Sequence, residues 1–135
     1  MQLPAMVPAV SDSDASERVA AVFSDIRETR QTEFINNFWR VNANDPAQLE
    51  RTWGELKEVM APGALDPVMK ELIYVAVSTA NGCTYCIRSH TVAAKQKGAT
   101  DEMLAELRAV VAAASKTNSL ATGLQIPVDD EFLPD

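Results

Sequence analysis

The sequence predicts an all-α protein of about five to seven helices. Three observations carry that expectation. Apolar residues recur three and four apart along most of the chain, Ser, Thr and Asp caps precede those series, and alternating strand patterns are sparse. No internal repeat or low-complexity tract appears, so the 135 residues read as one domain, residues 1–135, long enough to bury a core without structural staples.

Residues 1–13, with two prolines among their apolar positions, are expected to be a flexible lead. The run "SDSDASERVAAVFSDIRETR" then offers Ser and Asp caps before Val19, Val22, Phe23 and Ile26. "FINNFWRV" predicts a short second helix. Asp45 caps a third, with Pro46 at its first position and Leu49, Trp53, Leu56 and Met60 in one stripe. "APGAL" breaks the chain, and Asp66–Pro67 restarts it in the same manner. The helix "PVMKELIYVAVSTAN" is apolar around most of its circumference, which predicts the central buried element, and Asn81–Gly82 ends it. A further helix is expected from about Cys83 to Lys97, stopped by Gly98. Thr100 or Asp101 caps "EMLAELRAVVAAASK", and a short last helix is expected near Ser119–Thr122. Residues 125–135 are acidic and are expected to be a peripheral tail. Phe34, Phe38, Trp39 and Trp53 read as core or subunit-contact residues.

Composition bounds the function. Twelve basic against 19 acidic residues give a net charge of −7, which repels phosphate backbones and anionic lipid and argues against nucleic-acid and membrane partners. The longest uncharged run, Leu72 to Ile87, is broken by Gly82 and polar residues and is too short to span a bilayer. The first basic residue is Arg18, so the start resembles neither a signal peptide nor an anchor, and a cytoplasmic location is the expectation. In a reducing compartment a close cysteine pair points to catalysis or metal binding before a structural disulfide.

That pair lies in "GCTYCIRSH", which holds the chain's only two cysteines and its only histidine. On a helix, Cys83, Cys86 and His90 fall within an arc of roughly 60° on one face. The cysteines occupy the first turn, where unpaired N–H groups and the helix dipole favour a thiolate. An Asn81–Gly82 turn makes an antiparallel hairpin with the preceding helix. On that helix Glu71 shares its face with Val68 and Val75, an unusual place for a carboxylate without a partner. The inferred order is a thiol at Cys86, a base at His90 and an orienting acid at Glu71, the arrangement of an activated nucleophile. Other readings stand beside it: a zinc site on Cys83, Cys86, His90 and Glu71, simple packing, or Glu71 paired with an arginine such as Arg88 or one from a neighbouring subunit.

The stretch "ELIYVAVSTANGCTYCIRSH" resembles the core motif of the alkylhydroperoxidase AhpD-like group within the carboxymuconolactone decarboxylase superfamily. Glu71, eleven residues, CxxC at Cys83 and Cys86, three residues and His90 match its spacing at every position, and the similarity runs from about residue 46 to 120. The resemblance implies an all-helical fold assembling as homotrimers or hexamers. It also implies thiol-dependent reduction of a hydroperoxide substrate without metal, haem, flavin or other cofactor. In that pattern Cys86 is the attacking thiolate, Cys83 the resolving cysteine that closes the disulfide, and His90 with Glu71 the proton relay. A dithiol or a redox protein supplies electrons. One position departs from the best-known peroxidases, which carry histidine between the cysteines where this chain has Tyr85, a phenol that offers no base at neutral pH. Two alternatives share these residues: a thiol–disulfide oxidoreductase, and a redox-responsive oligomeric regulatory module without peroxidase turnover.

Overall fold

The computed structural model describes residues 1–134. Among them are six α-helices, a short 3₁₀ turn at Asp130–Phe132 and no strand. The helices are α1 (Glu17–Arg30), α2 (Asn37–Asn42), α3 (Pro46–Met60), α4 (Pro67–Asn81), α5 (Thr84–Gln96) and α6 (Asp101–Gly123). The fold is therefore all-α, and the chain divides into two compact units, one through Ala61 and one from Pro62 onward.

In the first unit, α3 packs against α1 and α2. The core joins Val19, Val22, Phe23 and Ile26 of α1 to Ile35, Trp39 and Ala43 and to Leu49 and Trp53 of α3, with Leu56 partly buried at its edge. The periodic apolar positions of α1 and α3 thus face each other. Trp39 and Trp53 meet edge to face at 5.4 Å, the arrangement that ring quadrupoles favour. The indole N–H of Trp53 donates to Asp25 Oδ2 at 2.7 Å, and Lys57 binds the same carboxylate. The bond from Trp53, with that from Lys57, holds the Asp25 carboxyl below its usual range. Phe34 and Phe38 lie at the surface, with Phe38 edge to face on Trp39. Ahead of α1, Val10 and Arg40 exchange backbone and guanidinium hydrogen bonds, and Asp12 pairs with Arg27 and Arg40.

The second unit sets α4 against both α5 and α6. Both Asp–Pro starts form as read: Asp45 and Asp66 accept from the N–H groups of Gln48 and Met69, with proline in the first turn. Thr100 caps α6 by accepting from Met103. Two features differ from the sequence reading. The short helix expected near Ser119–Thr122 is the end of α6, which runs unbroken for 23 residues, roughly 34 Å. No glycine or proline interrupts Asp101–Thr122, so alanine-rich propensity carries the helix through "SKTNS". The second correction concerns α4, which is buried along a single stripe, Glu71, Val75 and Ser78. Its Met69, Ile73 and Val77 are exposed, because α5 and α6 cover only one side of it. Among the described residues, no helix is long and apolar enough to cross a membrane.

Leu49 is fully buried in the first unit. Leu49→Ala is expected to lower its stability by about 2–5 kcal/mol through lost transfer energy and a residual cavity. Urea unfolding followed by Trp fluorescence measures this, and a midpoint equal to the parent's would refute the core assignment.

Candidate functional site

The turn between α4 and α5 builds the first half of the site. Gly82 adopts the left-handed conformation, φ 73°, at little steric cost. Its N–H bonds to Thr79 O, and the N–H of Cys83 reaches back to Ser78 O at 2.9 Å, closing a Schellman motif. The same two residues that end α4 thereby begin α5, with Cys83 as the N-cap of α5. Its Sγ accepts the Cys86 N–H at 3.2 Å. Cys86 sits in the first turn of α5, and the two cysteines are joined as a disulfide with Cα atoms 5.3 Å apart, within the range such a bridge requires. Both are half-buried, while Tyr85 between them faces outward.

The second half lies further along the hairpin. Glu71 is only 4% exposed. Its Oε2 is 2.7 Å from His90 Nδ1, and its Oε1 is 2.7 Å from Lys97 Nζ. Burial pushes the Glu71 carboxyl up, but the bonds from His90 and Lys97, with the lysine's charge, outweigh it and hold the group below the ordinary glutamate range. An ionised carboxylate only accepts, so Nδ1 carries the hydrogen and donates, which leaves the lone pair of the neutral imidazole on Nε2. Tyr74, three residues after Glu71, stacks on the imidazole with ring centroids 3.6 Å apart. His90 is thus gripped at one nitrogen and one ring face.

The four residues singled out in the sequence fall into two bonded pairs, Cys83–Cys86 and Glu71–His90. Helix α5 connects them, because Cys86 and His90 are four residues apart on one face. Glu71 pairs with His90 and Lys97, and Arg88 is exposed. The sequence reading missed Lys97 and Tyr74. Signals for both existed: Lys97 follows His90 by seven residues, two helical turns, and Tyr74 follows Glu71 by three.

Comparison with known proteins bears on this geometry. The sequence profile of the Carboxymuconolactone decarboxylase family matches residues 47–129, more than half of the chain. The chain belongs to that family. The crystal structure of the alkylhydroperoxidase AhpD core from Rhodospirillum rubrum superposes with a TM-score of 0.94 at 52% identity, covering 97% of this chain and 98% of that one. The fold is therefore AhpD-like. An uncharacterized protein of Cupriavidus necator is 36% identical over 83 residues, 62% of this chain and 74% of that one. The alkyl hydroperoxide reductase AhpD of Solibacter usitatus is 35% identical over 72 residues, 53% of this chain but only 39% of that protein's length.

The depressed Glu71 carboxyl links this site to stability. Its folded-state value lies below the ordinary 4.5, so its contribution is present above that pH and is lost as pH falls through the folded value. Replacing Glu71 by glutamine is expected to cost about 1–3 kcal/mol at pH 7. The difference between parent and Glu71→Gln should shrink toward zero as pH drops below the ordinary carboxylate range. Urea midpoints across that interval measure it, and a pH-independent difference would contradict the ionised assignment.

Proposed function

We propose that the protein is a thiol-dependent peroxidase of the alkyl hydroperoxide reductase type. The observation that carries the reading is the Glu71–His90 hydrogen bond, set on the same helical hairpin as a CxxC pair able to close a disulfide. In the reduced protein, the free Nε2 of His90 takes the Cys86 thiol proton. The thiolate attacks the terminal peroxide oxygen and the O–O bond breaks. His90 returns the proton to the departing alkoxide, so a hydroperoxide becomes an alcohol and Cys86 a sulfenic acid. Cys83 displaces hydroxide from that sulfur, giving water and the Cys83–Cys86 disulfide. A dithiol donor or redox protein then delivers two electrons and two protons to restore both thiols. Glu71 keeps the imidazole oriented and stabilises its protonated form. A reducing compartment such as the cytoplasm suits this cycle, and it calls on no cofactor.

Tyr85 favours a second reading, since the residue between the cysteines supplies no base to activate Cys83. The protein would then exchange disulfides with a partner protein and leave peroxide untouched. Single-turnover thiol loss separates the two. Under the peroxidase reading, hydroperoxide oxidises the reduced parent to an intrachain disulfide. His90→Ala slows this by about 10²–10⁴-fold, Glu71→Gln slows it by less, and Cys83→Ser is oxidised once without turnover. A parent that ignores hydroperoxide but is oxidised by a disulfide donor establishes the second reading.

Assembly as a homotrimer or hexamer belongs to the same proposal. Among the described residues, the second unit buries only Val75, Ala94, Ala99 and Leu104 as apolar core. It leaves Ile73, Val77, Val110, Leu120, Leu124 and Ile126 exposed, more apolar surface than a solitary unit of this size ordinarily presents. Light scattering at micromolar concentration is expected to give three or six times the chain mass, and a monomer would refute the assembly.

A further inference from the structure

The ion pair between Glu71 and Lys97 lies outside the Glu–CxxC–His pattern, yet it takes half of the carboxylate that the relay uses. Lys97 is the C-cap of α5, two turns beyond His90, which brings both side chains to the same acid on α4. The Lys97 side chain is 38% exposed, against 5% for that of Glu71, so a side chain still open to water reaches a buried anion. This asymmetry matters. A buried carboxylate with His90 as its sole partner relieves its desolvation either by taking up a proton or by turning both oxygens toward the imidazole. A protonated carboxyl can donate to Nδ1 as well as accept from it, so the tautomer of His90 is then no longer fixed, and a carboxylate free to turn holds the ring less firmly.

We propose that Lys97 is a positioning residue of the relay: its ammonium anchors Oε1 of Glu71 as an anion, so that Oε2 holds Nδ1–H of His90 and leaves Nε2 free for Cys86. This rests on the relay reading above and extends it to a residue that touches neither sulfur nor substrate. The charged and titratable partners of Glu71 are His90 and Lys97, from α5 and its cap. Tyr74 of α4 faces the His90 ring.

The test uses the full chain in a Cys83→Ser background, where Cys86 is the sole thiol. Lys97→Met keeps the aliphatic stem and removes the charge, and Lys97→Arg restores the charge. Two quantities are followed from pH 3 to 9: the ¹³C shift of the Glu71 carboxyl, assigned by its loss in Glu71→Gln, and the alkylation rate of Cys86 by iodoacetamide. Lys97→Met is expected to raise the Glu71 midpoint by about one pH unit and to slow alkylation about threefold or more near the new midpoint, with Lys97→Arg close to the parent. An unmoved midpoint overturns the proposal, as does a moved midpoint with an unchanged rate at every pH. A Lys97→Met protein that fails to fold, judged by circular dichroism, also overturns it, because the lysine's place is then structural. Iodoacetamide is not a peroxide. A parent unable to reduce hydroperoxide would therefore defeat the proposed function while leaving this result to stand or fall separately.

Discussion

Glu71 puts a carboxylate where water reaches 4% of the residue, and the cost of that burial organises the α4–α5 hairpin. A buried anion persists only with donors on its oxygens. The chain supplies two, His90 of α5 and Lys97 at its C-cap, two turns apart on one face. Meeting that requirement fixes the axial register of the two helices: a shift by one turn would take both donors out of reach together. The tautomer of His90 follows from the same bond, and with it which ring nitrogen remains available for chemistry.

The opposite end of the hairpin is set by backbone alone. Gly82 turns the chain through a left-handed conformation, the Schellman bonds satisfy the Ser78 and Thr79 carbonyls in the last turn of α4, and Cys83 is delivered as the cap of the next helix. Sulfur is a weak acceptor, so capping by Cys83 exchanges some helix-end stability for a sulfur held beside the first-turn amides. Only a rigid turn keeps two sulfurs within bonding distance while the histidine stays one turn further on. The acid register and the glycine turn are thus two ends of one ruler.

The two units divide stability and chemistry unequally. The first holds both tryptophans and a continuous core, and none of the four motif residues. The second holds all four on a thin apolar stripe, and much of α4 and α6 remains uncovered. A site assembled on helices with so few buried apolar contacts draws its rigidity from polar bonds instead, namely the Glu71 cluster and the helix caps.

The sequence by itself determined most of the helices, their caps and which motif residues share the α4–α5 hairpin. Asp45–Pro46, Asp66–Pro67 and Asn81–Gly82 are local signals, decided by which dihedrals those residues prefer and which N–H groups need an acceptor. The spacing of Glu71, Cys83, Cys86 and His90 was legible for the same reason, since helical geometry converts spacing directly into a shared face. Tertiary structure decided what depends on a partner element. Lys97 could be placed on the face of His90 from spacing, but whether its ammonium reached Glu71 depended on how α5 lies along α4. The burial of α4 was misread because composition records how apolar a helix is, whereas exposure depends on how many neighbours cover it. The continuity of α6 through "SKTNS" was by contrast a local matter, since no glycine or proline interrupts Asp101–Thr122 and that absence outweighs the polarity of those residues. Local free energy is written in the order of residues; the energy of a buried charge is settled only when the fold decides which donors surround it.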